Sequence, residues 1–308
     1  MNTALTIGNF DGVHLGHKRL IHRVLDFARE HDLMPALLTF DPHPSRIVAP
    51  ERAPRLLTTL EQRKKLIHSE GIEHIEVLPF TSEIAKLTAE QFVEQFVVGK
   101  LAARAVVVGH NFRFGNRAAG DVHLLRSLGG KYGFETDVIQ PVTWRGITIS
   151  SSEIRARIQA GDVSRACRML GRVYALEGKV VHGHGIGSKK TVPTLNLGTT
   201  AEVLPAAGVY ITQTRDLNGA AEWRSVTNVG YRPTFGSDNR LSVETFLLDP
   251  LEGPSPNAIA VEFLKRIRDE RKFESPEALK AQILRDVARA ERYFRRLSTR
   301  SPAVLPRS

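Results

Sequence analysis

The chain has 308 residues, of which 25% are charged and 42% hydrophobic, a composition that is ordinary for folded proteins and argues against wholesale disorder. Its length predicts about two domains. The single cysteine, Cys167, excludes an intramolecular disulfide and suits a reducing cytosol. No apolar run approaches the roughly 18 residues of a membrane span, and the first residues lack the basic and apolar segments of a signal peptide. These features argue against membrane proteins and small secreted disulfide-rich proteins.

The chain is basic, and much of the excess charge lies near the C-terminus. The net charge is +10, from 43 Lys and Arg against 33 Asp and Glu. Residues 262–308 hold 13 Lys and Arg against 7 Asp and Glu, a net of +6. A basic surface attracts anionic partners. Two interpretations stay open: a solvated helix face that attracts phosphorylated substrates, or a nucleic-acid surface.

Apolar strands and amphipathic helices alternate in the first half of the chain. The apolar residues of each helix recur at helical spacing, and buried strand-like runs separate the helices. This alternation predicts a parallel sheet with crossover helices. The predicted strands are residues 4–7, 36–40, 75–78, 105–109 and 135–139, and the predicted helices are residues 17–30, 61–69, 89–98, 121–132 and 151–161.

The pattern changes near Gly171. Runs rich in Val, Thr and Tyr then lie between Gly and Pro clusters, which predicts an antiparallel β domain in the form of a small barrel. An amphipathic helix follows at residues 275–297, with Leu279, Ile283, Val287 and Phe294 on one face. The predicted strands of this part are residues 178–182, 208–214, 224–229, 241–248 and 258–263. The expected parts of the chain are an α/β domain (1–160), a linker (161–170), the barrel with its terminal helix (171–297) and a flexible tail (298–308).

The segment after the first strand, Gly8-Asn9-Phe10-Asp11-Gly12-Val13-His14-Leu15-Gly16-His17, is typical of a phosphate site. Its glycines allow sharp turns and close approach of the backbone to a ligand. The helix that begins there offers N–H groups and the positive end of its dipole to an anion. His14 and His17 can project together from the first turn, where imidazoles stabilise the charge that develops on a phosphate under attack. A metal site and ordinary surface histidines stay open as alternatives, although histidine pairs in helical zinc sites are usually four apart with a Glu between them.

Together with three later motifs, this segment resembles the bacterial FAD synthetases, members of the adenylyltransferase superfamily that carries a His-x-Gly-His element. The other motifs follow in the family's order, and the resemblance runs from about residue 3 to residue 297. They are Phe40-Asp41-Pro42-His43-Pro44, Gly109-His110-Asn111-Phe112-Arg113-Phe114-Gly115 and Ile149-Ser150-Ser151-Ser152-Glu153-Ile154-Arg155. The resemblance implies a Rossmann-like α/β domain of the nucleotidyltransferase type that transfers AMP from ATP to FMN, giving FAD and pyrophosphate.

The resemblance also implies roles for individual residues. His14 and His17 would stabilise charge at the α-phosphate, and Arg155 would hold the departing phosphates through its forked guanidinium. FMN already carries an anionic phosphate, so alignment and charge stabilisation matter more than a strong base. The residues expected to bind ATP are Gly8, Asn9, Phe10, Asp11, Gly16, Asn111, Ser150, Ser151 and Ser152, and those expected to bind flavin here are Pro42, His43 and Phe112. For three of these positions a plain structural role stays open: a loop cap for Asn111, a turn for the Pro42 motif and core packing for Phe112.

The second half carries motifs that resemble the riboflavin kinases, which form the C-terminal half of these bifunctional enzymes. In a strand, Thr194 and Asn196 point to one face, and their oxygens are hard ligands suited to Mg²⁺. Glu244 is either the general base for the ribityl hydroxyl of riboflavin or a structurally paired carboxylate, and Asn228 is expected to bind flavin. The motifs are Pro193-Thr194-Leu195-Asn196-Leu197, Asn228-Val229-Gly230-Tyr231-Arg232-Pro233-Thr234-Phe235 and Val243-Glu244-Thr245-Phe246-Leu247-Leu248-Asp249, followed by a closing helix at 273–286.

A glycine-rich flap precedes the first of these motifs. The N–H groups of Gly183, Gly185 and Gly187 are expected to bind ATP phosphate. The flap is not a Walker A loop, because only three residues separate Gly183 from Gly187. It also departs from the kinase family, which usually carries Arg in the flap and a Gly–aromatic pair before the proline. Lys189 and Lys190 are expected to supply the missing charge.

The resemblance therefore implies a bifunctional, Mg²⁺-dependent enzyme that phosphorylates riboflavin to FMN and then adenylylates FMN to FAD. Its expected partners are small molecules rather than nucleic acid or membrane, its expected location is the cytoplasm, and a weak homo-oligomer stays open. One alternative is an RNA-handling protein, because aminoacyl-tRNA synthetases share the His-x-Gly-His element; the missing Lys-Met-Ser-Lys-Ser loop disfavours it. A non-catalytic flavin scaffold is disfavoured by the presence of His14, His17 and Glu244.

Overall fold

The computed structural model describes residues 1–181, 194–231 and 241–299. Backbone contacts divide the chain into two compact units, Met1–Ser151 and the part from Ser152 onward. The predicted fold class is confirmed for both: a parallel sheet with helices forms the first unit, and a closed antiparallel barrel with a terminal helix forms the second. Within the described ranges, no helix has both the length and the apolar character needed to cross a membrane. Most of the predicted flexible tail, residues 300–308, lies outside the described residues.

The first unit is built on a five-stranded parallel sheet. Its strands are β1 (Thr3–Ile7), β2 (Met34–Asp41), β3 (His74–Pro79), β4 (Ala103–Gly109) and β5 (Glu135–Ile139). They lie in the order β3–β2–β1–β4–β5. The order reverses between β1 and β4, and open α/β sheets bind ligands outside the carboxyl edge at such a point.

Helices cover both faces of this sheet. Ile21, Val24 and Ile67 pack with Leu37 against one face, and Phe92, Val97 and Leu125 belong to the layer on the other face. The central strands β1, β2 and β4 are therefore buried on both sides, as their continuous apolar runs predict. The helices are α1 (Leu15–His31), α2 (Ser45–Val48), α3 (Leu60–Ser69), α4 (Ser82–Lys86), α5 (Ala89–Phe92) with its π-helical continuation (Val93–Lys100), and α6 (Val122–Tyr132); a small hairpin of β6 (Thr143–Trp144) and β7 (Ile147–Thr148) follows.

The second unit contains a closed barrel of six strands. The chain reaches it through α7 (Ser151–Gln159) and α8 (Val163–Leu170) and ends in α9 (Pro276–Ser298). The strands are β8 (Tyr174–Val181), β9 (Thr194–Gly198), β10 (Gly208–Asp216), β11 (Glu222–Tyr231), β12 (Leu241–Leu247) and β13 (Ala258–Asp269). Their order around the barrel is β10–β11–β12–β9–β8–β13, and β13 pairs with β10 to close it.

Hydroxyl groups form a hydrogen-bonded chain inside the barrel. Thr227 Oγ1 lies 2.7 Å from Thr212 Oγ1 and 2.8 Å from Thr245 Oγ1. Ser225 Oγ extends the chain, 2.8 Å from Thr212 Oγ1 and 2.9 Å from Thr214 Oγ1. All these side chains are completely buried, so their mutual hydrogen bonds remove the cost of burying them. Since side chains alternate along a strand, the residues next to Thr227 and Thr245 point to the opposite face of the sheet.

Residues 161–170, expected as a linker, hold the packed helix α8. Val163, Ala166 and Met169 are fully buried, and Ser164 Oγ donates a hydrogen bond to the Leu264 carbonyl at 2.9 Å. The apolar spacing of the segment is helical, but the segment is short and bounded by Gly161 and Gly171, so the sequence signal for a helix is weak. The domain boundaries themselves stay a prediction.

The terminal helix packs on the barrel through its C-terminal half. Ala290 and Phe294 lie in one cluster with Val209 and Ile211. The carboxylate of Asp286 is buried and accepts hydrogen bonds from Arg268 Nε at 2.9 Å and Gln282 Nε2 at 2.8 Å. Leu279, at the start of the predicted apolar face, is 42% exposed, because the first turns of α9 lie outside this contact.

Candidate active sites

The side chain of His14 caps helix α1. Its Nδ1 accepts a hydrogen bond from the backbone N–H of His17 at 3.3 Å. A ring nitrogen that accepts this bond carries no proton, so a neutral His14 has its proton on Nε2, the nitrogen that donates. The predicted helix start at residue 17 is therefore late, because sequence patterns identify caps by Ser, Thr, Asp or Asn rather than by His.

The two motif histidines lie directly against each other. Their rings stack with centroids 3.7 Å apart, and the ring of Phe10 packs on His17 with centroids 5.0 Å apart. Gly16 permits this arrangement: a Cβ there would lie 3.0 Å from Cε1 and 3.1 Å from Nδ1 of His14. The structure therefore brings together the pair that the sequence singled out, at the start of a helix that follows the central strand.

The loop that leads to these histidines has a strained backbone. Phe10 has φ 50° and Val13 has φ 36°, a left-handed conformation that costs a non-glycine residue about 1–2 kcal/mol. Both side chains are fully buried, which holds the conformation in place. The buried carboxylate of Asp11 accepts hydrogen bonds from the N–H groups of Leu57 at 2.9 Å and Thr58 at 3.2 Å. Phe10 and Asp11 thus face the interior, and the ATP contacts predicted for them would come from their backbone.

Two further motifs lie at the same carboxyl edge of the sheet, after β2 and β4. Half-buried His43 accepts a hydrogen bond at Nδ1 from the Ser45 N–H at 3.2 Å, at the start of α2. Asn111 is exposed, and Phe112 is half-buried and stacks on core residue Phe114 with centroids 5.4 Å apart. The loops after β1, β2 and β4 therefore converge on one edge, as their parallel strands predict.

The fourth motif lies where the first unit ends and the second begins. Ser151 Oγ donates a hydrogen bond to the carbonyl of Asp11 at 2.8 Å, which ties the motif to the histidine loop. Ser150 and Ser151 belong to the first unit, and Ser152 and Arg155 to the second. Because α7 begins at Ser151, Ser152 and Arg155 lie in its first two turns.

The predicted kinase residues form a row across neighbouring strands of the barrel. Glu244 of β12 pairs in register with Asn196 of β9 on one side and Asn228 of β11 on the other. Directly opposite residues of antiparallel strands have Cβ atoms about 4.5–5.5 Å apart, so the three half-buried side chains are neighbours on one face. Thr194 lies on the same face, two residues before Asn196, and is exposed. The flap residues Gly183, Gly185, Gly187 and Lys189 lie outside the described residues.

The chemistry of this row fits Mg²⁺. Thr194 and Asn196 offer a hydroxyl and an amide oxygen beside the carboxylate of Glu244, and Mg²⁺ prefers such hard donors completed by phosphates and water. When bound, the ion supplies charge neutralisation of the ATP phosphates. Among the described residues, no group of three or more His, Cys, Asp or Glu is placed to hold a metal ion.

Comparison with known proteins shows the family of the chain. The family model for FAD synthetase matches residues 1–153, and the model for riboflavin kinase matches residues 170–294. The bifunctional riboflavin kinase/FMN adenylyltransferase of Escherichia coli K12 is 35% identical over 290 residues, which cover 94% of this chain and 92% of that protein. The chain belongs to this bifunctional family. The protein of the same description from Bacillus subtilis 168 is 36% identical over 300 residues, 96% of this chain and 93% of the relative.

A solved structure shares the fold over nearly the whole chain. The crystal structure described as that of a macrolide-efflux protein from Streptococcus pneumoniae aligns with a TM-score of 0.85 at 28% identity, covering 94% of each chain.

By the two family models, the histidine loop lies in the FAD synthetase region of the chain, and the Glu244 row lies in its riboflavin kinase region. The alternative of an RNA-handling protein is not favoured.

Three polar residues around these sites carry no motif signal in the sequence: Thr58, Arg63 and Glu270. Thr58 Oγ1 accepts a hydrogen bond from the Gly12 N–H at 3.1 Å. A Cβ on Gly230 would collide with Oε1 of Glu270 and lie 3.0 Å from Nδ2 of Asn228. A second carboxylate therefore lies beside the row of Glu244 and Asn228. Thr58 and Arg63 stand far from the histidine loop in sequence, and Glu270 stands far from Asn228, so only the fold brings them close.

Proposed function

We propose that the chain phosphorylates riboflavin with ATP to give FMN and ADP, and then transfers AMP from a second ATP to FMN to give FAD and pyrophosphate. The observation that carries the proposal is the presence of two chemically distinct clusters in the two matched regions. The stacked histidines of the first suit charge stabilisation. The carboxylate and amides of the second suit activation of a hydroxyl.

In adenylyl transfer, a phosphate oxygen of FMN attacks the α-phosphorus of ATP, and pyrophosphate leaves with the electrons of the broken P–O bond. Nε2–H of His14 and the ring of His17 stabilise the charge that builds on the α-phosphate oxygens. The N-terminal end of α1 adds its dipole at the same place. Ser150, Ser151, Ser152 and Arg155 hold the departing phosphates, as the hydrogen bond between Ser151 and the histidine loop supports.

In the kinase reaction, the terminal ribityl hydroxyl of riboflavin attacks the γ-phosphorus of ATP, and ADP leaves. The carboxylate of Glu244 accepts the hydroxyl proton, and Asn228 orients the flavin beside it. Thr194 and Asn196 would hold Mg²⁺ with the phosphates of ATP. The register that places these side chains on one face supports this assignment.

The remaining parts of the proposal concern binding partners and organisation. The ligands are small molecules rather than nucleic acid or a membrane surface, and the location is the cytoplasm. The single cysteine suits that compartment. The adenylyltransferase domain is assigned to residues 1–160 and the kinase domain to residues 171–297, preceded by α8, which packs on the barrel.

Product analysis tests the whole proposal. The protein is mixed with riboflavin, ATP and Mg²⁺, and the flavins are separated by chromatography over time. FMN should appear first and FAD should follow, and supplied FMN with ATP should give FAD and pyrophosphate in equal amounts. A parallel reaction with excess EDTA should give neither flavin product. Formation of FMN alone would show that the protein is a riboflavin kinase without adenylyltransferase activity. Formation of neither product would overturn the proposal.

A further inference from the structure

The guanidinium of Arg63 is buried against the loop that carries the two histidines. Arg63 lies on α3 and is 2% exposed. Its Nη1 donates hydrogen bonds to the Asn9 carbonyl at 2.6 Å, to Thr39 Oγ1 at 3.1 Å and to the Phe40 carbonyl at 3.4 Å. Thr39 Oγ1 in turn donates to the Asn9 carbonyl at 3.3 Å. One loop carbonyl is thus held by two donors from neighbouring elements.

Holding the Asn9 carbonyl also sets the direction of the next N–H group. The Asn9–Phe10 peptide is trans, and in a planar trans peptide the C=O and N–H bonds point to opposite sides. The N–H of Phe10 therefore points away from Arg63. Phe10 has φ 50°, a conformation that the chain does not favour by itself, so the loop depends on contacts such as these to keep it.

Stability alone does not account for a guanidinium in this place. A buried cation loses its hydration, and Nε of Arg63 has no hydrogen-bond partner among the described residues. Burial lowers the pKa of Arg63, while the charges of Asp11 and Asp41 act in the opposite direction. A well-packed apolar side chain would avoid these costs. The three hydrogen bonds of Nη1 all reach the loop after β1 or the end of β2, the two segments that carry the first two motifs.

We infer that Arg63 is a positioning residue for adenylyl transfer. It holds the Asn9–Phe10 peptide so that the N–H of Phe10 faces bound ATP, and it places a fixed positive charge behind the loop. It acts through the loop and does not touch the substrate. The inference rests on the proposed adenylyltransferase activity of the first unit.

The test compares four variants of the full-length chain. Arg63→Met removes the charge and the hydrogen bonds, Arg63→Lys keeps a cation, and Thr39→Val removes the second donor to the Asn9 carbonyl. Arg23→Met is the matched control, because it removes another arginine of the same unit. Arg23 forms an ion pair with Asp137, with 2.6 Å between Nε of Arg23 and Oδ2 of Asp137. For each variant, kcat and the KM for ATP are measured for FAD synthesis from supplied FMN. Riboflavin phosphorylation and the Tm are measured on the same preparations.

Arg63→Met should lower kcat/KM for FAD synthesis by about 10²-fold and raise the KM for ATP, because a displaced loop no longer presents its N–H to the phosphates. Arg63→Lys should recover most of the loss, since an ammonium can still donate to the Asn9 carbonyl. Thr39→Val should show a smaller loss in the same direction. Kinase turnover should stay at the wild-type level in all variants, and Arg23→Met should keep the wild-type KM for ATP even where its Tm falls.

Other outcomes overturn the inference. Arg63→Met with a wild-type KM for ATP, or a loss of activity that merely follows Tm in both Arg63→Met and Arg23→Met, would make Arg63 a structural residue. If Arg63→Met does not fold, Thr39→Val decides, and an unchanged KM for ATP in that variant overturns the inference. A wild-type chain that makes no FAD would instead overturn the proposed function.

Discussion

The imidazole rings of His14 and His17 stack almost face to face, with 15° between their planes. His14 is the cap of α1 and His17 is the third residue of that helix, so the stack joins the last residue of the loop to the first helical turn. Each ring limits the movement of the other. The two side chains therefore present their nitrogens from one fixed surface, which is the requirement for electrostatic stabilisation without reorganisation.

His17→Ala is predicted to lower the rate of FAD formation from FMN by roughly 10²–10³-fold, the usual cost of losing one donor to developing charge. The rate is measured as FAD formed per enzyme at saturating FMN and ATP. His14→Ala should lose as much, but it also removes the helix cap, which costs about 1 kcal/mol of stability. His17→Ala is thus the cleaner variant. FMN formation should stay near wild type, and an equal loss of both products would indicate a folding role for the pair.

Gly16→Ala is predicted to weaken FAD synthesis by displacing His14. The added methyl group would lie 3.0 Å from Cε1 of His14, and the helix start on one side limits how the ring can move. We expect a loss of about 10–10²-fold in kcat for FAD synthesis, in line with small misplacements of catalytic groups. Gly130→Ala is the matched control, because it lies in a helix of the same unit and a methyl group added there would meet no neighbouring element within 4 Å. The control should keep full activity, and equal behaviour of the two variants would contradict the prediction.

The sequence alone predicts the sheet, the barrel and the histidine loop. It does not predict the tertiary contacts that hold the histidine loop in place. Apolar periodicity and glycine-flanked turns are local signals, so the strands after which the motifs lie could be placed. Arg63 lies on a helix with the polar sequence of an ordinary solvent-exposed helix. Its hydrogen-bond partners Asn9 and Thr39 stand far away along the chain. Contacts of this kind depend on tertiary packing, which no window of residues contains.

Helix α8, which lies between the two predicted domains in the sequence, is a second element that the sequence pattern does not identify. With a length of eight residues, it has too few turns for its apolar periodicity to be a clear signal. In the fold, Val163, Ala166 and Met169 are fully buried, and Cys167, whose pKa burial raises to about 11, lies beside β13. Residue burial, rather than sequence pattern, thus assigns this segment to the second unit.

This assignment predicts where a working kinase fragment must begin. A fragment of residues 162–299 should convert riboflavin to FMN at a rate close to that of the full chain and make no FAD. A fragment of residues 171–299 lacks the apolar face of α8 and should lose roughly 10 °C or more in Tm. Calorimetry and product analysis of the two fragments check the prediction. Equal Tm values would show that α8 adds nothing to the barrel, and a longer fragment without kinase turnover would contradict the assignment of two separate sites.

Glu244→Gln tests the assignment of the kinase base. The amide keeps the volume of the side chain and its place between Asn196 and Asn228, but it cannot accept a proton from a hydroxyl. If Glu244 is the base, the rate of FMN formation should fall by about 10²–10⁴-fold. Riboflavin and ATP should still bind, because Thr194 and Asn196 are unchanged. Initial rates of phosphorylation, with titrations of flavin fluorescence for binding, measure the two effects separately.

A matched control is Glu262→Gln, which changes another carboxylate of the same barrel. Glu262 forms an ion pair with Arg215, with 2.8 Å between Oε1 of Glu262 and Nε of Arg215. That variant should keep kinase turnover within a few-fold of wild type. FAD synthesis from supplied FMN should continue in both variants, because that reaction depends on His14 and His17. Should Glu244→Gln also keep its turnover within a few-fold, Glu244 is a structural carboxylate. Positioning and Mg²⁺ alone would then activate the ribityl hydroxyl, and Glu270, the second carboxylate beside Asn228, becomes the residue to change next.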